Sequence, residues 1–266
     1  RASPFKPFYE KAAFSVKCAV ASGGDTVYHN SNMHRQYLLG NEAIAEGLIA
    51  GGLDLACGYP GTPSSEVMAA LIRRSAGNFY AEWSVNEKVA LETAYGASLS
   101  GGRACAVMKH VGLNVASDAF MTAAYTGVAG GLVIVVADDP AIHSSQNEQD
   151  TRRYALFARV PCLEPSSGSE AYRMAAEAFS LSEKLGLPVI LRSVTRLSHG
   201  KYDLSLDIGV RRRTPEGFRK DPSRFVMVPA NARRAAQRLT ALERTVAKEF
   251  ENSAFNHLHC VEAADT

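Results

Sequence analysis

Glu87, Lys109 and His110 are the residues of this chain whose types and positions could do chemistry together. Each follows a run of β-forming residues, Glu87 after FYAEWSV and the Lys-His pair after ACAVM. A carboxylate at a helix start can hold or share a proton, and a Lys-His pair can bind a carboxylate or shuttle a proton. Plainer readings stay open beside these. An acidic first-turn residue is favourable with the helix dipole alone. Lys109, His110 and Asn114, in VMKHVGLNVASD, also read as a solvated loop with Asn114 as a cap. Glu82, within a strand, and Glu92, a turn further along a helix, are weaker candidates. His143, with Ser144, Ser145, Gln146 and Glu148, reads equally as a binding loop or a polar surface loop.

The turn that these residues would face is GYPGTPSSEVM, from Gly58 to Met68. It follows the apolar run LDLAC and precedes a helical pattern. A strand that breaks at Gly-Tyr-Pro-Gly-Thr-Pro and restarts as a helix leaves backbone amides unpaired. Pro63 in the first helical turn and Ser64 or Ser65 near the cap suit that geometry. In an open α/β sheet such a turn lies at the carboxyl edge, where ligands collect. A strand-to-helix turn without a ligand is the alternative.

The elements that must position these residues follow from hydrophobic periodicity. Helices are expected over 41–50, 64–74, 86–100, about 116–126, 169–184 and 231–250, and strands over 54–58, 79–83, 104–108, 132–137 and 188–193. Short β runs such as LVIVVA and PVILR, separated by helical lengths, mean βαβ units and a parallel sheet covered on both faces. The expected fold is therefore α/β, a doubly wound parallel sheet with a C-terminal basic helical arm. Three segments are expected: an irregular N-terminal extension over 1–37, the α/β domain over 38–200, and a linker and partner-docking arm over 201–266. The polar segment DDPAIHSSQNEQDTRRYA is expected as one long loop, a length that is often functional. Residues 201–266 carry 12 Lys/Arg against 9 Asp/Glu. Within them Leu239, Leu242, Val246 and Phe250 make a narrow apolar stripe, for which a docking surface on another subunit is the first expectation.

Composition excludes several classes. With 46% hydrophobic residues, 266 positions can bury a sizeable core. The net charge of +2 gives no basis for nucleic-acid or membrane-surface binding. No apolar run reaches the roughly 18 residues of a membrane span, and the N-terminus is too polar for a secretory signal. The five cysteines, Cys18, Cys57, Cys105, Cys162 and Cys260, are scattered, as expected of reduced thiols in a cytoplasmic protein. Cys57 and Cys105 are expected as small core residues. Iron–sulfur ligation needs closely spaced cysteines, so a cluster would belong to another chain. No G-x-G-x-x-G follows a strand; Walker, G-x-S-x-G and His-Cys metal motifs are absent too.

Taken together, the GYPGTPS turn, WSVNEKVALE, MKHVGLNVASD, GGLVIVVADDP and HSSQNEQDTR resemble, in that order, the alpha subunits of indolepyruvate ferredoxin oxidoreductases. These belong to the 2-oxoacid:ferredoxin oxidoreductase superfamily. The similarity runs from about Leu38 to Gly200 and continues through FVMVPANARR. It implies a thiamine-diphosphate enzyme that oxidatively decarboxylates aryl 2-oxoacids, passing electrons through [4Fe-4S] clusters to ferredoxin and the acyl group to coenzyme A. It implies that this domain holds the pyrimidine half of the cofactor, bound by Tyr59, Pro60, Gly61, Thr62 and Glu87. Glu87 would be catalytic: its bond to a ring nitrogen favours the imino tautomer that deprotonates the thiazolium carbon. Thr62 would also contact substrate, and Lys109, His110, Asn114 and His143 would line the 2-oxoacid pocket. Lys109 and His110 replace the Ser-Gln of pyruvate-specific members.

The family pattern is incomplete in this chain. The diphosphate-binding half uses Gly-Asp-Gly followed further on by Asn, for magnesium and phosphate, and the only Gly-Asp here is Gly24-Asp25. The chain is therefore expected to supply at most half an active site. Mg2+, the clusters and the diphosphate-binding half would belong to partner subunits of a hetero-oligomer. The alternatives are a phenylglyoxylate-type dehydrogenase or decarboxylase subunit with another electron acceptor, and a non-catalytic scaffold subunit. Retention of Glu87 argues against the scaffold.

Overall fold

The computed structural model describes residues 26–28, 34–206, 209–212 and 214–256. In chain order the elements begin with β1 (Thr26–Tyr28), β2 (His34–Leu39), α1 (Gly40–Ala50), β3 (Leu55–Gly58), α2 (Ser65–Ser75), β4 (Tyr80–Trp83) and α3 (Glu87–Leu99). They continue with β5 (Ala104–Lys109), α4 (His110–Thr126), β6 (Leu132–Asp138), α5 (Thr151–Ala158), β7 (Cys162–Leu163), α6 (Gly168–Leu185) and β8 (Val189–Val194). The last are α7 (Thr195–His199), β9 (Lys201–Leu206), β10 (Val210–Arg212), α8 (Pro222–Phe225) and α9 (Pro229–Glu251).

Six strands form one parallel sheet in the order β4-β3-β5-β6-β8-β7. Alternation along the central strands sends side chains to two cores. Cys105, Val107, Val133, Val135 and Leu191 pack with α1, α2 and α6. Ala106, Met108, Ile134, Val136 and Ile190 pack with α3, α4, α5 and α9. Both faces are covered, which is why these strands read as continuous apolar runs. The doubly wound parallel architecture expected from the sequence is the one observed. Its consequence for function lies in the strand order. From β3 the chain moves outward to β4, then returns to place β5 on the other side of β3. The carboxyl ends of β3 and β5 therefore flank a switch point, the crevice where open α/β sheets bind ligands.

Several local expectations change. Helix α4 starts at His110, directly from the strand, with Lys109 as its N-cap, so Lys109, His110 and Asn114 are not in a loop. The long polar loop ends at Asp150, whose side chain accepts from Arg152 N and caps α5. Pro63 precedes α2 rather than opening it, and the N-cap Ser64 makes no side-chain cap bond. Its hydroxyl instead donates to Gly61 O at 2.7 Å, while Ser65 Oγ accepts from Gly61 N at 2.9 Å. Residues placed in an irregular N-terminal extension form β2, which pairs antiparallel with β9 from His34–Leu206 to Leu39–Lys201. β2 thus runs across the first segment boundary drawn from the sequence, and the ladder ties the start of the 201–266 segment to it.

The apolar stripe of α9 does not wait for another subunit. Leu239 is buried, and Leu242 and Val246 pack into the core lined by α4, while Phe250 packs against the core on the opposite side of the sheet. Two arginines tie this region to α4: Arg224 donates to Thr126 O and Val128 O at 2.9 and 2.7 Å, and Arg238 to Tyr125 O at 2.8 Å. Cations at a helix carboxyl end complement its dipole.

Cys57 and Cys105 are buried and unpaired, as expected; Cys162 is also free. Burial pushes the Cys57 thiol up to about 11 and Cys162 up to about 12, so both stay protonated and inert. Cys18, Cys260, Gly24 and Asp25 lie outside the described residues. Among the described residues no helix is long and apolar enough to cross a membrane.

Candidate functional site

The turn after β3 is held by its own backbone and by α1. Tyr59 N donates to Val107 O at 3.2 Å, tying the turn to β5. Asn41, fully buried in the first turn of α1, donates through Nδ2 to Pro63 O at 2.7 Å and to Glu66 Oε2 at 2.8 Å. Asn41 thereby fixes the turn that carries Thr62. The sequence reading passed over it because the contact joins segments 22 residues apart. Gly61 is glycine for a steric reason: a Cβ there would stand 3.0 Å from Cγ and Cδ of Lys109, whose stem crosses it.

Glu87 opens α3, with Asn86 capping that helix by accepting from Val89 N at 2.9 Å. Its side chain is half-buried and lies against the first turn of α4. A Cβ added at Gly112 would fall 2.5 Å from Glu87 Cγ and 2.7 Å from Oε1. Only a residue without a side chain allows this approach. Among the described residues, the Glu87 carboxylate has no hydrogen-bond or ion-pair partner in the structure. Glu82 and Glu92 differ, since Tyr80 OH donates to Glu82 at 2.5 Å and Lys88 lies 3.8 Å from Glu92. Gly112→Ala is expected to leave the fold intact, because the flexible Glu87 can swing aside. Given the catalytic role that the resemblance implies for Glu87, the displaced carboxylate should cost about 100-fold in turnover, the scale of an ångström's misplacement. Steady-state kinetics beside a melting curve checks this.

Lys109 and His110 are both buried, at 9% and 1% exposure. Lys109 Nζ donates to Ser144 O at 3.2 Å, and His110 Nε2 donates to Asn147 O at 3.1 Å. His110 Nδ1 is buried without a partner. The segment 139–150 thus crosses the carboxyl edge and covers both residues. It also reaches the turn, where Ser144 Oγ lies 3.5 Å from Thr62 O. Its base is organised by Asp139, which is fully buried. Asp139 accepts from Ser144 N, Ser145 Oγ and Thr195 Oγ1, each at 2.7 Å. Burial alone would raise the Asp139 carboxyl, but the Ser144 N–H, the Thr195 and Ser145 hydroxyls and the His143 N–H outweigh it. They hold the group well below the usual carboxylate range.

A lowered folded-state value means stability that is present above the ordinary Asp value of about 3.9 and lost as pH falls below it. Asp139→Asn is therefore expected to shrink the loss of stability between about pH 4 and pH 2. Denaturant titrations across that range provide the check.

The structure thus gathers Thr62, Gly61, Lys109, His110 and the 139–150 segment at the β3–β5 switch point, with Glu87 of α3 lying against the first turn of α4. Tyr59 and Pro60 are exposed on the same turn. Two expected site residues fall elsewhere. Asn114 is exposed one helical turn along α4, and its Oδ1 accepts from Tyr154 OH at 2.6 Å. His143 is exposed in the same loop, where it lines an open cleft of about 450 Å³ with Pro140, Val194, Thr195 and Arg196. Gln146 is exposed, and Glu148 is used within the loop, accepting from Ala141 N at 2.8 Å.

Comparison with known proteins adds a family match, three relatives and one solved structure. Residues 46–257 match the family model described as pyruvate flavodoxin/ferredoxin oxidoreductase, thiamine diP-bdg. The chain is 49% identical over 248 residues to indolepyruvate oxidoreductase subunit IorA of Pyrococcus abyssi, covering 90% of this chain and 38% of the relative. It is 55% identical over 201 residues to the subunit of the same name from Methanothermobacter thermautotrophicus, covering 74% of this chain and 32% of the relative. A more distant similarity, 28% over 183 residues, is to 2-oxoglutarate synthase subunit KorA of Archaeoglobus fulgidus, covering 65% of this chain and 52% of that one. The chain thus spans less than two fifths of the length of the IorA relatives. Among solved structures, 2-oxoglutarate:ferredoxin oxidoreductase from Magnetococcus marinus superposes with a TM-score of 0.62 at 17% identity, over 80% of this chain and 45% of that one. At that identity the likeness is one of fold.

Proposed function

The chain belongs to the thiamine-diphosphate-binding family of pyruvate flavodoxin/ferredoxin oxidoreductases, and from that premise we propose that it is the pyrimidine-binding part of an aryl-2-oxoacid oxidoreductase. Its substrates would be of the indolepyruvate or phenylpyruvate type. The observation that carries this reading is Glu87, a half-buried carboxylate without a partner among the described residues, pressed onto Gly112 at the ligand edge of the sheet. Such a group fits a ring nitrogen that needs an acceptor. In a cleft closed by a partner chain, a shared proton there would be held strongly.

When bound, thiamine diphosphate would supply an electron sink for breaking the bond between the 2-oxo carbon and its carboxylate. Glu87 would hold the pyrimidine and keep a proton shared with its ring. The Tyr59-Pro60-Gly61-Thr62 turn would form the wall beside that ring, with Thr62 facing substrate as well. Lys109 and His110 would receive the substrate carboxylate. Magnesium and the diphosphate would be held by a partner chain or segment, and electrons would pass through [4Fe-4S] clusters there to ferredoxin. Coenzyme A would accept the acyl group, in line with the coenzyme named for the similar Magnetococcus structure. The names of the relatives, all subunits, support a multisubunit assembly.

The test is dye reduction by the complex copurified with this chain. Phenylpyruvate or indolepyruvate should support coenzyme-A-dependent reduction at least about tenfold faster than 2-oxoglutarate, and the isolated chain should give none. Preference for 2-oxoglutarate or pyruvate, or turnover by the chain alone, would overturn the proposal.

A further inference from the structure

Lys109 has the wrong partner for where it lies. The residue is nine-tenths buried, and the hydrogen-bond acceptor of its ammonium among the described residues is one neutral carbonyl, that of Ser144 at 3.2 Å. No carboxylate pairs with it among the described residues. A buried charge normally needs a counter-charge, because desolvation is otherwise uncompensated. His110 beside it has one ring nitrogen on the Asn147 carbonyl and the other buried without a partner. Both residues stand at the start of the 17-residue α4, whose first-turn amides add positive potential. The place suits an anion, and the protein fills it with two neutral carbonyls.

The segment that brings those carbonyls is anchored at its base and strained near it. Asp139 gathers Ser144, Ser145 and Thr195, and Ala141 N donates to Glu148 Oε2 at 2.8 Å. Between these anchors, Ala141 and Ile142 take φ values of 65° and 56° in succession. A β-branched residue in the left-handed region is an outlier that its surroundings must enforce. The segment therefore has somewhere to go if its hold on Lys109 is replaced.

We propose that residues 140–149 are a latch over a carboxylate subsite at Lys109 and His110, and that the carboxylate of a 2-oxoacid opens it by displacing the Ser144 and Asn147 carbonyls. This rests on the function proposed above and adds that ligand entry and loop release are one exchange at Lys109. The exchange runs forward because a charge-assisted hydrogen bond is about twice as strong as one to a neutral carbonyl. Asp139 and Thr195 stay paired and act as the hinge post.

The test is amide hydrogen exchange in the assembled complex, without coenzyme A or an electron acceptor, beside calorimetric binding. The probes are phenylpyruvate and phenylacetone, its analogue without the carboxylate. Phenylpyruvate should raise exchange across residues 140–149, read at Ala141, Ile142 and Ser144, and phenylacetone should not. Lys109→Met should show the raised exchange without ligand and bind phenylpyruvate about 30-fold or more weakly, while Lys109→Arg should restore the response. If Lys109→Met does not fold, the two probes on the native complex decide the matter. Phenylpyruvate binding with unchanged loop exchange, or an equal response to phenylacetone, overturns the latch and leaves the site reading standing. Native affinity in Lys109→Met overturns the subsite. Absence of phenylpyruvate binding to the complex overturns both.

Discussion

Glu87→Gln should lower turnover of the assembled complex by about 10²–10⁴-fold, the usual range for loss of a positioned acid–base group. Its thermal unfolding should barely move. The two halves of that expectation come from one observation. The carboxylate has no ion pair or hydrogen bond among the described residues, so neutralising it leaves no partner stranded. Glutamine has the same shape and fits the same space over Gly112. What it lacks is the basicity to hold a proton shared with a ring nitrogen. Paired kinetics and calorimetry of the variant give the answer, and turnover within a few-fold of native would contradict the role.

Arg192→Met should be strongly destabilising. Asp138 is fully buried at the end of β6 and accepts from Arg192 Nε at 2.7 Å, from Thr151 N at 3.0 Å, and from the Thr151 hydroxyl. Arg192, 5% exposed, also reaches Glu164. Removing it leaves a buried carboxylate unpaired, with the equally buried Asp139 next to it, at a cost of about 3–5 kcal/mol. At roughly 2–4 °C per kcal/mol for a domain near this size, Tm should fall by roughly 6–20 °C. Adding Asp138→Asn should recover part of the loss, since the stranded charge then disappears. A Tm within 2 °C of native for Arg192→Met would contradict this assignment. Because Asp138 also receives Thr151, this ion pair fixes both ends of the 139–150 segment, and its loss should loosen the cover over Lys109.

How much of this was legible in the sequence divides along a physical line. The sheet was, because β5, β6 and β8 are buried on both faces and read as near-continuous apolar runs up to Lys109, Asp138 and Arg192, while Gly127 and Gly186 end the helices that precede β6 and β8. The ladder of β2 with β9 was not, since it pairs residues some 170 positions apart whose alternation is weak on its own. Helix α5 was missed because its eight residues leave Leu156 and Phe157 exposed, which blurs the period a buried helix would show. The start of α4 was missed because strand and helix meet at Lys109 with no Gly, Pro or capping side chain to mark the change. The period of α9 was read correctly and its cover was not: a stripe shows that something must bury it, and the rest of the same chain does.

The site divides in the same way. Thr62, Glu87, Lys109 and His110 could be nominated because each follows a strand, and the carboxyl edge of a parallel sheet collects such residues. Asn41, Gly112 and Asp139 could not, because their parts exist only as contacts between distant segments. Gly112 looks like any helical glycine until Glu87 is seen above it. Asn114 and His143 lie close in sequence to the cluster, yet helix phase carries one away from it, and the other lines the cleft beside Val194 and Thr195.

The most direct measurement is a density map of the complete complex with thiamine diphosphate bound. A Glu87 carboxylate oxygen about 2.7–2.9 Å from a pyrimidine ring nitrogen, with Gly112 beneath it, is the expected result. A pyrimidine held by other residues while Glu87 faces solvent or packs elsewhere would contradict the account.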